Sequence, residues 1–483
     1  MASPDLAHLL VASNRGPVTV EAVEGGEDEV RRGGGGLVSG MQAALAASPG
    51  AVWVCSALSD RERVLARRAQ GQPLSAVDVD TGDIAVRMLP IDSGTFRRAY
   101  NGIANSTLWY LAHMLYEPAR SPSFDAAWNR QWQSYERYNR EFAEALAQDA
   151  AEGATVMIQD YHLCLAPAML RERRPDVRIG HFTHTPFAPA LYFAMLPDAV
   201  ARELLTGMLG ADVLGFHDPR WAADFRDCCV RVLGADLDGD AVVHDGRRVQ
   251  VAVFPLGVDA EEIIARSRRR DAIARYGYLQ SIVGDCAVIA RVDRTELSKN
   301  ILRGLQAYRE FLRTHPEWQG RVIHLAFAYP SRYDLPEYRE YAGAVERLGR
   351  EIEDEFGTDD WSPLYLQIAD DLPGSLAAMR MADVLLINPI RDGMNLVVKE
   401  GLVLSERDAV AVLSELAGAA PELGADALLV NPFDVSATAE AIHAALTMPA
   451  AEKADRAARQ RVAAGANDPV SWFRAQIEAV EAS

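Results

Sequence analysis

The sequence predicts an α/β protein of two doubly wound domains, each a mostly parallel sheet with helices on both faces. Three observations predict it. Short apolar runs of strand length alternate with helical stretches along the chain, as in sheets built from crossover units. At 483 residues the chain exceeds what one hydrophobic core serves. Its apolar fraction, 49%, is enough to fill two cores.

Taken in order, the strand-like runs of the first domain are 9–13, 52–57, 86–91, 155–159, 178–183 and 212–217. A hairpin over 241–254, turning at Asp245-Gly246, closes this set. The runs of the second domain are 287–292, 322–328, 364–368, 384–388, 409–413 and 427–431. Long helical patterns lie between them, for example 123–148 and 338–356. The seam is expected at Phe254-Pro-Leu-Gly257, giving domains 1–257 and 258–465. A last helix within 466–483 carries Trp472 and Phe473 and is expected to pack back on the first domain. The basic run 266–270 reads as a solvated helix face.

Composition narrows the function classes. The formal net charge is −19, which disfavours general binding to nucleic acid or anionic membranes. Five cysteines, an odd number with no CxxC spacing, read as reduced thiols of a cytoplasmic protein. The segment from His8 to Ala12 reads as a first strand, not the core of a signal peptide, and no apolar run approaches membrane-spanning length.

The most informative segment is RDGMNLVVKE, residues 391–400, which follows the run 383–388. It reads as strand, tight turn, helix. Gly393 permits a sharp turn and a close approach of ligand to backbone. Met394, Asn395 and Leu396 are then placed to offer the free N–H groups of a helix start to an anion. Asp392 can accept from sugar hydroxyls. Glu400 shares a face with Leu396 and can accept from the paired hydroxyls of a ribose. The competing reading is an ordinary βα turn. Only three basic residues are lysines, Lys299, Lys399 and Lys453, so a compact ammonium is a candidate requirement at Lys399 and Lys299. Arg294 and Lys299, just beyond the run 287–292, suit a clamp on a leaving diphosphate.

In the first domain, Ser13-Asn14-Arg15-Gly16 follows the first strand and a glycine cluster occupies 33–36. Open α/β sheets bind ligands beyond strand carboxyl ends, so Arg15 is placed to meet an anion. The glycines do not form a strict dinucleotide fingerprint. Asp160 and His162 follow one strand, and His184 follows the next. A zinc site on His181 and His184 is set aside, because their spacing on an extended segment points them to opposite faces. No metal or cofactor is expected.

Together these motifs resemble the trehalose-6-phosphate synthase family of retaining glycosyltransferases. The resemblance runs in order through SNRGP, GGGGL, YNGIANSTLW, QDYHL, HTPF, FPLGVD, the RxxxSK spacing, PSR, WSPLY, RDGMNLVVKE, ELAGAA and NPFD. It implies two facing Rossmann-like domains of GT-B architecture with a cleft between them, an acceptor domain first and a donor domain second. It implies transfer of glucose from a nucleoside diphosphate to glucose 6-phosphate, giving α,α-trehalose 6-phosphate. Carried over, Arg15, Tyr100, Trp109 and Arg332 hold the acceptor phosphate, and Asp160 holds acceptor hydroxyls. Gly36 sits against the substrates and His184 contacts the donor glucose. Arg294 and Lys299 hold the diphosphate, and Asp392 holds glucose hydroxyls. The backbone of Met394, Asn395, Leu396 and Val397 meets glucose and phosphates, and Glu400 binds the ribose. Arg294, Lys299, Asp160, His184 and Asp392 are the expected catalytic set. The implied partners are these two substrates, without nucleic acid or membrane, and a homo-oligomer is compatible.

The chain departs from the family pattern at Gln159 (usually histidine), Thr185 (isoleucine), His217 (glutamine) and Asn300 (glycine). Gln159, Thr185 and His217 are expected to flank the cleft and tune substrate choice. The arginine-for-lysine bias and alanine richness suggest a high-G+C genome, and the resemblance implies GDP-glucose for some family members from such genomes; with the departures at Asn300 and His217, neither of which names a base, this gives a slight lean to GDP-glucose over UDP-glucose. Competing functions are another transferase of this architecture, glycogen synthase-like or cyclitol-coupling, and a non-catalytic sugar-phosphate sensor.

Overall fold

The computed structural model describes residues 6–21, 28–32, 38, 41–42, 45–46 and 48–483. It divides into two compact units: Met1–Pro255 with Pro469–Ser483, and Leu256–Asp468.

The first unit holds β1 (Ala7–Ser13), β2 (Val18–Glu21), β3 (Glu29–Arg32), β4 (Val52–Ser56), β5 (Ala85–Leu89) and β6 (Ala150–Gln159). There follow β7 (Arg178–Thr183), β8 (Val213–Phe216), β9 (Asp236–Asp238), β10 (Ala241–His244) and β11 (Arg247–Val253). Nine strands form one sheet in the order β5-β4-β1-β6-β7-β8-β11-β10-β9. Neighbours from β5 to β11 run parallel, and the last two pairs are antiparallel. Parallel strands covered on both faces need no polar alternation, and β4 and β8 are buried at every residue. In the hairpin β10–β11, His244 faces Arg247, so the loop is the two residues Asp245 and Gly246. Both have positive φ (47° and 75°), the type I′ geometry that an Asp-Gly pair favours.

The helix Ala126–Asp149 is capped by Asp125, whose side chain accepts from the N–H groups of Ala127 and Trp128. It turns Trp128, Trp132, Tyr135, Tyr138 and Phe142 inward, a stripe at helical spacing. The helix Pro469–Glu481 also joins this unit. Trp472 meets Phe182 of β7 edge-on at 4.9 Å, and a Cβ on Gly180 would lie 2.7 Å from the Val480 side chain.

The second unit holds β12 (Ala287–Arg294), β13 (Val322–Tyr329), β14 (Leu364–Gln367), β15 (Val384–Ile387), β16 (Val410–Ser414) and β17 (Leu428–Val430). They form a parallel sheet in the order β14-β13-β12-β15-β16-β17. The period-2 alternation of strands sends neighbours to two separate cores. Val288, Ala290, Leu385, Ile387, Ala411 and Leu413 enter one; Ile289, Val384, Leu386, Val410 and Val412 enter the other. The basic run 266–270 does not form a helix face: it spans the break between the helices Ala260–Ser267 and Arg270–Val283. There Arg266 pairs with Asp271 at 2.7 Å.

Each sheet has a point where the winding reverses. In the first, the chain adds β4 and β5 on one side of β1, then returns to add β6 on the other. In the second, β13 and β14 lie on one side of β12, and β15 begins the other. Crevices at the carboxyl ends of such strand pairs are where open α/β sheets bind ligands. No helix among the described residues is long and apolar enough to cross a membrane.

Candidate active site

In the first unit, the carboxyl ends of β1 and β6 carry Asn14-Arg15 and Asp160. The turn after β1 is pinned from below. The Ser13 hydroxyl donates to the Arg15 carbonyl and accepts from Trp53 Nε1 at 2.7 Å, while the Tyr138 hydroxyl donates to Asn14 Oδ1 at 2.7 Å. A Cβ on Gly16 would lie 2.5 Å from Cys55 Sγ, so this turn takes glycine. Arg15 itself is exposed.

Tyr100 and Trp109 are presented by an unusual element, a π-helix over Arg98–Leu108 that continues into the α-helical turn Trp109–Ala112. Its i→i+5 repeat puts residues four or five apart on one face, so Tyr100, Asn105 and Trp109 form a stripe. Tyr100 stacks on His162 (5.6 Å, 14°), Asn105 accepts from the Tyr161 hydroxyl at 3.0 Å, and Trp109 lies 6.0 Å from the Tyr161 ring. The stripe faces the turn that holds Asp160.

Asp160 has φ 75° and ψ 166°, strained for a residue with a side chain. Its N–H donates to the Phe182 carbonyl at 2.6 Å. The carboxylate accepts from the His184 backbone N–H at 3.2 Å and lies 3.6 Å from His162 Nδ1. Burial alone would raise its pKa, but the His162 hydrogen bond and the nearby imidazoles hold it well below the usual carboxylate range. Asp160 is thus a fixed anion, suited to accept from hydroxyl groups.

Both ring nitrogens of His184 are engaged. Nε2 lies 3.0 Å from Gln159 Oε1, and Nδ1 lies 3.3 Å from His217 Nε2. Gln159 and His217, two of the departures from the family pattern, therefore act on this one ring. Thr185 instead lines an apolar cavity with Leu108, Phe187 and Leu204. His181 is buried, and burial lowers its pKa to about 4. Gly36 and the rest of the glycine cluster lie outside the described residues.

In the second unit, β12 ends on Arg294, and β15 leads to the segment 391–395. Lys299 Nζ sits 2.5 Å from Asp392 Oδ2, joining the two strand ends across the switch point. Asn395 Nδ2 donates to the same carboxylate at 3.1 Å. Burial alone would lower the Lys299 pKa, but Asp392 and Asp293 overcome this and raise it, so the ammonium persists.

One residue that the sequence reading missed organises the cations. Glu296, whose side chain is fully buried, lies 3.4 Å from Arg294 Nη1 and accepts from the Ser331 hydroxyl at 2.8 Å. Burial alone would raise its pKa; the charges of Arg294, Arg332 and Lys299 overcome this and lower it. Arg332, with φ 49°, donates to the Tyr338 hydroxyl at 2.7 Å. The structure therefore gathers Arg294, Lys299 and Arg332 around one carboxylate. The available signal was an acidic residue between two basic ones in a strand-end turn.

The segment 391–400 differs from expectation in four details. The left-handed residue is Asn395 (φ 74°), not a glycine, and its side chain caps the helix Leu396–Leu404 by accepting from Val398 N–H at 3.2 Å. Helix geometry then leaves the first-turn N–H groups of Leu396 and Val397 without an intrahelical carbonyl. Met394 is not a loop residue in its side chain: it is buried in the core. The close backbone approach falls at Gly418, where a Cβ would lie 1.9 Å from the Gly393 carbonyl oxygen. Lys399 does not face a ligand. It is fully buried, donating to Glu422 at 2.6 Å and to the Leu256 carbonyl at 2.8 Å. Glu400 has its pKa raised to about 7 by burial. Asn300 holds a left-handed turn (φ 58°) and donates to the carbonyls of Asn388 and Pro432 at 2.9 and 2.7 Å, a structural role.

One cluster of metal-ligating side chains occurs among the described residues: His315, Glu317 and His443. The two imidazoles stack 3.8 Å apart at 6°, so their in-plane lone pairs do not converge on one ion. It includes none of the strand-end residues described above.

A model of glycosyltransferase family 20 matches residues 7–482. The chain is 38% identical over 478 residues to the bifunctional trehalose-6-phosphate synthase/phosphatase of Thermoproteus tenax, covering 96% of this chain and 62% of that protein. It is 33% identical over 449 residues to the alpha,alpha-trehalose-phosphate synthase (UDP-forming) of Schizosaccharomyces pombe, covering 91% of this chain and 84% of that one. The solved structure of an alpha,alpha-trehalose-phosphate synthase (UDP-forming) from Burkholderia xenovorans in complex with glucose-6-phosphate is similar with a TM-score of 0.82. The two chains are 27% identical, over 98% of this chain and 100% of that one. Thus the chain spans less than two thirds of the Thermoproteus protein and nearly all of the Burkholderia one. With two units built on mostly parallel sheets, strand-end charge sets in each, and a family match from residue 7 to residue 482, the chain belongs to glycosyltransferase family 20.

Proposed function

We propose that the protein transfers glucose, with retention, from a nucleoside diphosphate glucose to glucose 6-phosphate, giving α,α-trehalose 6-phosphate. The observation that carries this reading is the cation pair at the second unit's switch point, Arg294 and Lys299 beside buried Glu296, in a chain of this family. Such preorganised charge suits a reaction whose main demand is stabilising a departing diphosphate.

In this reading the acceptor hydroxyl attacks the anomeric carbon from the face the diphosphate leaves. The carbon–oxygen bond to phosphate breaks, the acceptor oxygen bonds to carbon, and the hydroxyl proton passes to a diphosphate oxygen. Arg294 and Lys299 stabilise the charge on that group. Asp392 and the N–H groups at the start of the helix Leu396–Leu404 hold the glucose and phosphates, and Glu400 accepts from the ribose. Asp160, Arg15, Tyr100, Trp109 and Arg332 serve the acceptor, and His184 serves the donor glucose. No carboxylate needs to act as nucleophile. The unbridged cysteines support a reducing, cytoplasmic setting.

For the donor base, the lean to guanosine loses its two residues. Asn300 ties backbone carbonyls, and His217 belongs to the His184 chain. The relatives' names point to uridine, so UDP-glucose is the proposed donor. The base is expected against the loops after β13 and β14, beside Tyr329 at the end of β13. Initial rates with UDP-, GDP- and ADP-glucose at fixed glucose 6-phosphate test it. A clear GDP-glucose preference overturns the base while leaving the transfer intact; release of nucleotide without a phosphorylated disaccharide overturns the transfer.

A further inference from the structure

A chain of ring and amide contacts runs through the first unit behind Asp160. Gln159, the last residue of β6, meets His184 Nε2 at 3.0 Å. His184 Nδ1 meets His217 Nε2 at 3.3 Å, and His217 Nδ1 meets the Phe254 carbonyl at 3.3 Å. Trp472 donates to that same carbonyl at 2.9 Å and packs against both imidazoles. Phe182 closes the other side, 4.8 Å from the His184 ring and 4.7 Å from His217. Aromatic groups thus wall off a short polar line.

Counting protons fixes how this line is wired. The Phe254 carbonyl only accepts, so His217 Nδ1 carries hydrogen. A neutral His217 then accepts at Nε2, so His184 Nδ1 carries hydrogen. A neutral His184 is left with a lone pair on Nε2, which needs a donor. The amide of Gln159 supplies one when its nitrogen, not its oxygen, faces the ring. Amide orientation is set by the network around it. With the oxygen towards the ring, Gln159 Nε2 is buried without a partner. Burial also lowers the His184 pKa, which favours the neutral ring. The charged and titratable groups facing that ring are Asp160, His162, His181 and His217 itself.

We propose that Gln159 and His217 are positioning residues that lock His184 in its Nδ1–H tautomer and fix its ring plane against the reacting sugar. This rests on the proposed function for its catalytic meaning. It explains why two departures from the family pattern that lie 58 residues apart in sequence meet at one ring. Either a glutamine amide or an imidazole can accept on one side and donate on the other, so glutamine at position 217 preserves the wiring. An aliphatic residue of similar size fills the same aromatic box but breaks it.

The test compares wild type with His217→Gln, His217→Leu and Gln159→Leu. In His217→Leu and Gln159→Leu turnover is expected to fall about tenfold to a hundredfold, the cost of a misoriented group, with the KM for glucose 6-phosphate nearly unchanged. His217→Gln is expected to keep turnover within about threefold of wild type, as a conservative rescue. Equal turnover in the leucine and glutamine variants at position 217 overturns the proposal, because packing alone would then suffice. A second readout separates this from failure of the transfer itself. In protein labelled with 15N-histidine, the His184 ring should show hydrogen on Nδ1 in wild type and His217→Gln and a mixture of tautomers in His217→Leu. The same tautomer in all three overturns the proposal even if glucose transfer is confirmed. The expected pattern supports it even if transfer is not found.

Discussion

Replacing Lys299 by methionine keeps most of the apolar stem and removes one charge. In the structure that charge lies 2.5 Å from Asp392 Oδ2, with 14% of the Lys299 side chain and 15% of the Asp392 side chain exposed. Its field also reaches buried Asp293 and Glu296. Two losses follow. The departing diphosphate loses a preorganised cation, which costs on the order of 3 kcal/mol in the barrier, or roughly a hundredfold in turnover. Asp392 and Asp293 lose the charge that offsets their repulsion, so thermal stability falls as well. The effect should sit in the chemical step: kcat drops while the KM for glucose 6-phosphate changes little. Lys299→Arg should not restore it, because a planar guanidinium does not fit a site built around one compact ammonium. The assay is initial-rate nucleotide release over a range of glucose 6-phosphate concentrations at saturating donor, and over a range of donor concentrations at saturating acceptor. Turnover within about threefold of wild type in Lys299→Met, in protein shown to be folded, would remove Lys299 from the mechanism.

Other consequences are equally direct. Arg15→Ala and Arg332→Ala should each narrow the preference for glucose 6-phosphate over glucose by about tenfold or more, since charge-assisted contacts to phosphate exceed neutral ones; an unchanged ratio of kcat/KM for the two acceptors in both variants rejects this acceptor site. Glu400, with its pKa raised to about 7 by burial, must be ionised to accept from two hydroxyls. The protonated form is the one favoured as pH falls below that value, so donor affinity should weaken from pH 8 to pH 6, and the step should vanish in Glu400→Gln; calorimetric titration with the donor reads both. Gly418→Ala places a Cβ where 1.9 Å separates it from the Gly393 carbonyl oxygen. Overpacking of this kind costs about 1–3 kcal/mol, seen as a lower Tm together with lost turnover; a wild-type Tm would show that the loop yields freely.

Much of the sheet was legible because buried parallel strands are continuous apolar runs. Each of the twelve runs read from sequence overlaps a strand of the two large sheets, with ends displaced by up to five residues. The strands that escaped are of another kind. β9, Asp-Leu-Asp, is exposed along its length at a sheet edge, and β2 and β3 form a separate ribbon of four residues each. Val18 and Val20 of β2 are buried, but so short an alternation does not stand out from loop sequence. The strand-end placement of Arg294, Lys299, Asp392 and Asp160 was readable because sheet topology dictates where strand ends lie. Glu296 was not, since a carboxylate's burial among cations from residues 294, 299 and 332 exists only in the fold. Lys399 was misread for the same reason: its partner Glu422 lies 23 residues away. The turn geometry also shifted, because an asparagine can hold a left-handed conformation and cap a helix at once, which Asn395 does in place of Gly393.

The most direct test of the central claim measures what leaves and what forms when the purified protein meets UDP-glucose with either glucose 6-phosphate or glucose. Nucleotide release is followed together with the product, whose linkage is read by NMR. The account predicts rapid release with glucose 6-phosphate, slow release with glucose, and a phosphorylated disaccharide joined α to α through both anomeric carbons. Release at equal rates with both acceptors, or a product with an inverted anomeric centre, would contradict it.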